Sequence, residues 1–519
     1  MHTSSIHWLD YSIIAISVLF TVVLGLVFSR SQKSSDKYFA GGKRIPSWVI
    51  GMSIFATLIS SVTFLSYPGA AYAGNWILLV QGLMVPVILL GMIWFIVPLF
   101  RRVIKISAYE YFEHRFGFFA RMYSSIAFSF THFTKMGTVL YLMALALNTV
   151  VGFPIPNTIF VIGISIIIIT LLGGIDAVIW MDMIQGFLLI IGGLVCLAIL
   201  LFSTPGGPVE VVSKAFEWKK IDFGPYALDF AQLTFVVMAL NGVFYAIQKY
   251  GTDQTIVQRY LTAKDERGAK RAAYIGVYMS VGVWTLFMFI GTALFVYYKL
   301  SAETLPEGIK ADQVFPYFMT TQLPVGVIGL VIAGLISAAI STLASDMNSL
   351  SAVIVQDYYM RFKPNCSDRQ KLRMGRLFVL LTGIGCIGVA LLYASWEGEG
   401  VLGTVFGLYA IFSAGIVGIL LLGLFCRRAN KQGLYVGIAA CVLFTAYAVL
   451  TTTKVGSGNE QHLLLDLGKF NFPHHKYMLG VYSHIIVFVV GYLASFFFKT
   501  KTVDDSLTVF GYFNERKKN

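Results

Sequence analysis

Charge is what this sequence has least of. Only 13% of its 519 residues are charged while 57% are hydrophobic, and mean hydropathy is +0.74. One soluble core cannot hide so much apolar surface, so a water-soluble globular protein is excluded and lipid is the expected solvent. Acidic residues are the scarcer sign, 26 against 39 Lys and Arg, giving a formal net charge of +13. The basic residues stand in short loops, with no soluble domain to present a binding face, so a nucleic-acid partner is not expected. Cysteine is sparse as well. Of the five, Cys196, Cys386 and Cys441 lie in apolar stretches and Cys366 and Cys426 in or beside loops, without disulfide or metal spacing. The eight histidines are scattered, so the converging ligands of a metal-dependent membrane enzyme are missing and no enzyme is expected.

What the sequence has is a long series of apolar stretches near 20 residues, the length that crosses a hydrocarbon core of roughly 30 Å. About thirteen spans are expected. They group into an extra first helix over 9–28, a first repeat over 47–202, a second repeat over 232–426 and two C-terminal helices over 434–498, followed by a tail over 499–519. Together they make one transmembrane domain. The first stretch has no Lys or Arg before it and basic residues directly after it, so it reads as a reverse-oriented helix rather than a cleaved signal peptide.

Loop charge orients the spans. Arg30, Lys33, Lys37, Lys43 and Arg44 follow the first span, and Arg101, Arg102, Lys105, Arg115 and Arg121 follow the third. Further basic loops surround Arg267, Arg369 and Arg427, and the tail carries Arg516 to Lys518. Under the thirteen-span count all fall on one side. The positive-inside rule makes that side the cytoplasm, with the N-terminus outside and the C-terminus inside a plasma membrane. The sequon Asn365-Cys366-Ser367 then lies inside and is not a glycosylation site.

Interrupted helices are informative because lipid offers no partners for freed backbone groups. The second span, Ser47 to Tyr72, packs Thr57, Ser60, Ser61 and Thr63 mid-way and ends near Pro68-Gly69. The seventh, Gln232 to Gln248, carries Asn241-Gly242 in its middle. Two interrupted spans five apart suggest inverted repeats that each begin with a discontinuous helix. The alternative is that these small residues only let helices pack closely.

The runs Gly41 to Trp48, Phe55 to Thr63, Ile106 to Tyr111, Gly173 to Gly186, Gln258-Arg259-Tyr260 and Ser341 to Ser349 resemble the sodium:solute symporter family. That family includes sodium/glucose, sodium/proline and sodium/sialic acid cotransporters, and the bacterial sialic acid branch is the nearest in motifs. The resemblance runs from the first span to about the eleventh. It implies an all-α integral membrane protein with an inverted five-helix repeat, one extra N-terminal helix and two extra C-terminal helices. The expected activity is sodium-coupled symport of a small polar solute by alternating access.

A hard monovalent cation prefers oxygen ligands, which hydroxyls and unwound carbonyls supply. The resemblance implies the hydroxyls of Ser341 and Thr342 and the carbonyls of Ala338, Ala56 and Ile59 as sodium ligands. On the residues alone, both hydroxyls could instead bond back to carbonyls one turn earlier. Asp182 lies deep in the sixth span, where a carboxylate costs about 2.5 to 3.5 kcal/mol on insertion scales, and it needs a partner. Relatives with a second sodium combine such an aspartate with two hydroxyl residues. Here those positions are Ala344 and Ser345, so a single sodium is expected and Asp182 with Ser345 is structural or modulatory. Asp346 could cap a polar seam between helices.

For the solute, the resemblance implies Ser60, Ser61, Thr63, Gln81, Lys135 and Tyr250. Gln81 stands one residue from the family glutamine. The buried Lys135 needs a counter-charge, either a solute carboxylate or a residue of the protein. Its counterpart in sialic acid transporters is an arginine, which alone can make a planar two-point contact. In the sugar branch an asparagine is expected where Ala246 stands and a lysine near Met279, so a sugar acid is ranked first and a neutral sugar or polyol second. A transporter-like sensor is the alternative of another class, but the tail after Phe498 is short. Solute, sodium and lipid are the expected partners of a chain that works as a monomer.

Overall fold

In the computed structural model, residues 7–29, 34–395, 414–455, 462–499 and 504–518 are described. Positions 401–413 of the expected eleventh span, Arg30 and Lys33 of the first basic loop and positions 500–503 of the tail lie outside them. Among the described residues the only β-structure is one pairing of Lys454–Val455 with His462–Leu463. Everything else regular is helical, as the apolar composition requires of a backbone that must satisfy its own hydrogen bonds in lipid.

Helix α1 (Trp8–Ser29) leads to a short α2 (Ser35–Ala40), then α3 (Ser47–Leu58) and α4 (Ser61–Ala73). After α5 (Leu79–Val103) and the short α6 (Glu110–Phe116) come α7 (Phe118–Val151), α8 (Ile155–Ser203) and the amphipathic α9 (Gly207–Glu217). The second half holds α10 (Phe235–Gly251), α11 (Gln254–Leu261), α12 (Glu266–Leu300), α13 (Ala311–Gln322) and α14 (Val327–Val353), which runs through a π-helical turn into α15 (Met360–Phe362). It closes with α16 (Asp368–Ser395), α17 (Ile416–Phe425), α18 (Lys431–Leu450), α19 (Lys476–Ala494) and α20 (Val509–Lys518).

Eight helices among the described residues are long and apolar enough to cross a membrane, or nine if the bent α3–α4 pair is one crossing. The 49-residue α8 turns a corner at Gly174, whose φ of 60° lies in the region that favours glycine, and this falls between the expected fifth and sixth spans. Lipid-facing residues such as Phe160, Ile164, Phe187 and Ile191 are exposed on α8, whereas α14 is buried along nearly its whole length. That helix therefore sits at the centre, packed against α8, α7 and α3.

One expectation fails here. The seventh span is not interrupted at Asn241-Gly242, because α10 runs unbroken from Phe235 to Gly251. Asn241 donates its Nδ2 to the Tyr477 carbonyl of α19 at 3.2 Å. A Cβ at Gly242 would lie 2.8 Å from the Gln81 carbonyl oxygen, so glycine here serves the close approach of α5. Close packing wins over a break at this position. The chain leaves the helix only at Thr252, and Asp253 caps α11 by accepting from the Thr255 amide.

Charged residues at the two ends of the bundle are tied down. Glu113 accepts from Arg121 and Arg361 at 2.7 Å each. Burial pushes its carboxyl up, but the two guanidinium groups outweigh that and hold it below its usual range. At the opposite end Lys220 donates to the Tyr72 carbonyl at 2.8 Å and sits 4.1 Å over the Phe295 ring. Burial pulls its ammonium down to about 8.

Candidate functional site

The polar centre is built where the second span breaks. Ile59 and Ser60 are extended (φ −97°, ψ 128° and φ −130°, ψ 176°), and the segments on either side diverge by 59°. A helix that stops at Leu58 leaves its last carbonyls, Ala56 among them, without amide partners. The break faces α14. Thr342 donates its hydroxyl towards the Ile59 carbonyl at 3.2 Å and the Ala338 carbonyl at 3.0 Å, so three predicted ligands meet at one point. Its bond to Ala338 is also the ordinary bond to the preceding turn. Ser341 faces elsewhere, donating to Asp182 Oδ1 at 2.6 Å.

Asp182 is fully buried and has the partner it needs. Arg259, from the Gln258-Arg259-Tyr260 run on α11, reaches Asp182 Oδ2 with Nη2 at 2.9 Å, while Ser53 on α3 donates to the same oxygen at 2.5 Å. The guanidinium also donates from Nε to Ser53 at 2.8 Å and from Nη2 to Ser345, and it reaches the Thr255 carbonyl through Nη1. Both predicted members of the second group, Asp182 and Ser345, are thus bound to a fixed cationic side chain, and Ser341, predicted as a ligand of the main sodium site, is one bond from it through Asp182. Sequence reasoning quoted Arg259 in its motif but did not pair it with Asp182.

The predicted solute residues are arranged less tightly. Ser60 stands half-buried at the start of α4, Ser61 donates to the Val139 carbonyl of α7 at 3.3 Å, and Thr63 is buried. Gln81 lies on the α5 face that meets Gly242. Tyr250 closes the end of α10 at 2% exposure with no hydrogen-bond partner for its hydroxyl. Lys135 keeps a side chain 30% exposed and lies 3.1 Å from Asp346 Oδ2, an approach whose angle makes an ion pair rather than a hydrogen bond. Its bond to Oδ1 is long, at 3.3 Å.

Around Lys135 is a group that the sequence did not announce. His132, one turn earlier on α7, places Nδ1 at 2.8 Å from Asp346 Oδ1 and Nε2 at 3.4 Å from Asp253 Oδ2. Lys249 on α10 binds Asp253 at 2.6 Å. The signal was present in part as His132 and Lys135 three apart on one helix face, while Lys249 and Asp253, four apart, meet across the end of α10 and the cap of α11.

A separate cavity of about 1230 Å³ opens on the face that carries the basic loops, away from these residues. Lys37, Lys43, Arg44, Arg101, Arg102 and Lys105 line it, against the acids Asp36 and Asp176.

Residues 38–440 match the Sodium:solute symporter family. The chain is similar to the sodium/sialic acid symporter NanT of Aliivibrio fischeri, 33% identical over 488 residues that cover 94% of this chain and 92% of that protein. It is also similar to the sodium/sialic acid symporter SiaT of Proteus mirabilis, 33% identical over 444 residues, 84% of this chain and 89% of that one. Among solved structures, a Na+-coupled sialic acid symporter in a substrate-bound outward-open state, with a novel Na+-site, superposes with a TM-score of 0.86. It shares 29% identity and covers 95% of this chain and 99% of that chain. The fold is accordingly the all-α inverted-repeat transporter architecture.

Proposed function

Because this chain belongs to the Sodium:solute symporter family, a multi-pass membrane family that co-transports sodium with small solutes and is not enzymatic, we propose that it carries sialic acid or a closely related sugar acid inward. The observation that carries the mechanism is the Thr342 hydroxyl shared between the Ile59 and Ala338 carbonyls at the break. An ion held there by Thr342 and the carbonyls of Ala338, Ala56 and Ile59, with Ser341 turning from Asp182 to join them, links α14 to the broken span, so loading fixes the orientation of α4. The start of α4 then presents Ser60, Ser61 and Thr63, with its free amides, to an anionic or hydroxyl-rich group. Lys135, part-exposed and only loosely held by Asp346, receives the carboxylate. Gln81 and Tyr250 border the sugar.

One sodium accompanies each solute in this proposal. Arg259 already supplies the positive charge beside Asp182, and Ala344 lacks the hydroxyl that a second ion would use. The chain works as a monomer in the plasma membrane with thirteen crossings. Its N-terminus is outside and its C-terminus is in the cytoplasm, on the face of the basic loops. The proposed units are the first helix over 9–28, the repeats over 47–202 and 232–426, the helices over 434–498 and the tail.

The Lys135–Asp346 pair favours one second reading, a neutral sugar or polyol, since a lysine already neutralised has no need of a carboxylate. Purified protein in liposomes separates the two when labelled sialic acid and neutral sugars are offered with and without an inward sodium gradient. Sialic acid accumulation that ignores sodium, or that runs only on a proton gradient, removes the proposal. Two radiosodium ions entering per solute would remove the ion count.

A further inference from the structure

We infer that His132 supplies the net positive charge that makes the solute site select an anion, and that it does so as a bridge between Asp346 and Asp253. The inference rests on the sugar-acid reading above.

Both ring nitrogens of His132 face carboxylate oxygens, Nδ1 at 2.8 Å from Asp346 on α14 and Nε2 at 3.4 Å from Asp253 at the start of α11. A neutral imidazole has one N–H and one lone pair, and a carboxylate only accepts. Without a second proton one ring nitrogen would therefore aim its lone pair at a carboxylate. The geometry calls for a proton in each contact. If the extra proton sits on Asp346 instead of the ring, the charge of the pair is unchanged.

The charged neighbours can be counted from every element packed on the ring. Lys135 stands on its own helix, Asp346 on α14 and Asp253 at α11, and Lys249 on α10 reaches the ring through Asp253 at 2.6 Å. With the extra proton, three cations face two anions and one positive charge is left over. Without it the cluster is neutral. Asp182 and Arg259 balance one another separately. Asp253 is fully engaged, since its Oδ1 accepts from the Thr255 amide and hydroxyl. The member able to turn is Lys135, which is 30% exposed and weakly bonded. An isolated charge in a low-dielectric interior is costly, and a solute carboxylate beside Lys135 removes that cost while a neutral solute does not. The Lys135–Asp346 pair then ceases to argue for a neutral solute, because the proton on His132 restores the charge that Asp346 cancels. A cavity of about 20 Å³ bordered by His132, Asp253, Gln248 and Thr252 has room for one water, which gives the ring a route for proton exchange.

The test uses the full-length protein in liposomes with equal pH on both sides, and compares labelled sialic acid with its neutral methyl ester. The wild type is expected to favour the acid by about tenfold or more in KM. His132→Gln should lose the preference, with a sodium-induced rise in melting temperature reporting that it is folded. His132→Lys, which keeps the positive charge, should restore the preference. A wild type that takes the acid and the ester with equal KM overturns the inference without needing any variant. A folded His132→Gln protein that still favours the acid also overturns it, and leaves the sugar-acid reading standing. Absence of sodium-driven sialic acid uptake by the wild type removes that reading, and the inference with it.

Discussion

Thr342→Val gives the sharpest test of how sodium is held. Valine keeps the branched shape of threonine in a fully buried position and deletes only the hydroxyl that touches Ile59 and Ala338 at 3.2 and 3.0 Å. An oxygen bonded to a full charge contributes about 1.5–3 kcal/mol, so the sodium concentration for half-maximal uptake should rise roughly ten- to 150-fold. The solute's own KM at saturating sodium should change far less, because Thr342 lies on the ion side of the break. Thr342→Ser retains the oxygen and should stay within about threefold of wild type by the same scale. Initial uptake rates in proteoliposomes across a sodium series, with sodium-dependent thermal shift in detergent as a second reading, measure both. A folded Thr342→Val protein with unchanged sodium dependence would mean that the hydroxyl serves only the helix, bonding back to Ala338. The assignment of Thr342 as a ligand would then be wrong.

Three other expectations concern the surroundings. Asp182→Asn leaves Arg259 buried without its counter-charge and should cost about 3–5 kcal/mol of stability in thermal unfolding; adding Arg259→Gln should recover part of that loss, and no recovery would argue against the pair. Gly242→Ala forces a Cβ to 2.8 Å from a backbone oxygen of α5 and should cost about 1–3 kcal/mol in the same assay, while unchanged stability would refute the close approach. Lys220 has its folded-state value lowered from 10.5 to about 8, so between these values the unfolded chain binds more protons than the folded one. Stability should therefore rise with pH across that window, and Lys220→Met should flatten the slope.

The sequence announced features written in neighbouring residues and missed those written across helices. Ser60, Ser61 and Thr63 marked the broken span, although the break itself is at Ile59-Ser60 and Pro68 lies inside α4. Ser341 and Thr342 were recognisable as an oxygen pair, of which Thr342 faces the break and Ser341 turns to Asp182. Asn241-Gly242 misled because a small residue permits either a break or a close contact, and the neighbour that decides, Gln81, is 161 positions away in the chain. Arg259 with Asp182, and His132 with Asp253 and Asp346, depend on how helices are rotated about their axes. One sequence records the apolar stripe of each helix but not which polar residues will face one another.

The cavity lined by Lys37, Arg44, Arg101 and Lys105 carries more positive than negative charge, Asp36 and Asp176 offsetting only part of it, which has a consequence for any ion that leaves towards its face. An excess of fixed charge at such a mouth changes local concentrations before any binding occurs, by about e-fold for each RT of potential. Sodium is depleted there and small anions are enriched. Opening towards this face therefore offers the departing cation a dilute compartment even when the bulk solution is not dilute, and rebinding is slowed. The same mouth holds a departing carboxylate near the protein for longer. Release in such a carrier becomes ordered by electrostatics, cation first and anion second, and raising ionic strength should erase the order without altering the binding residues.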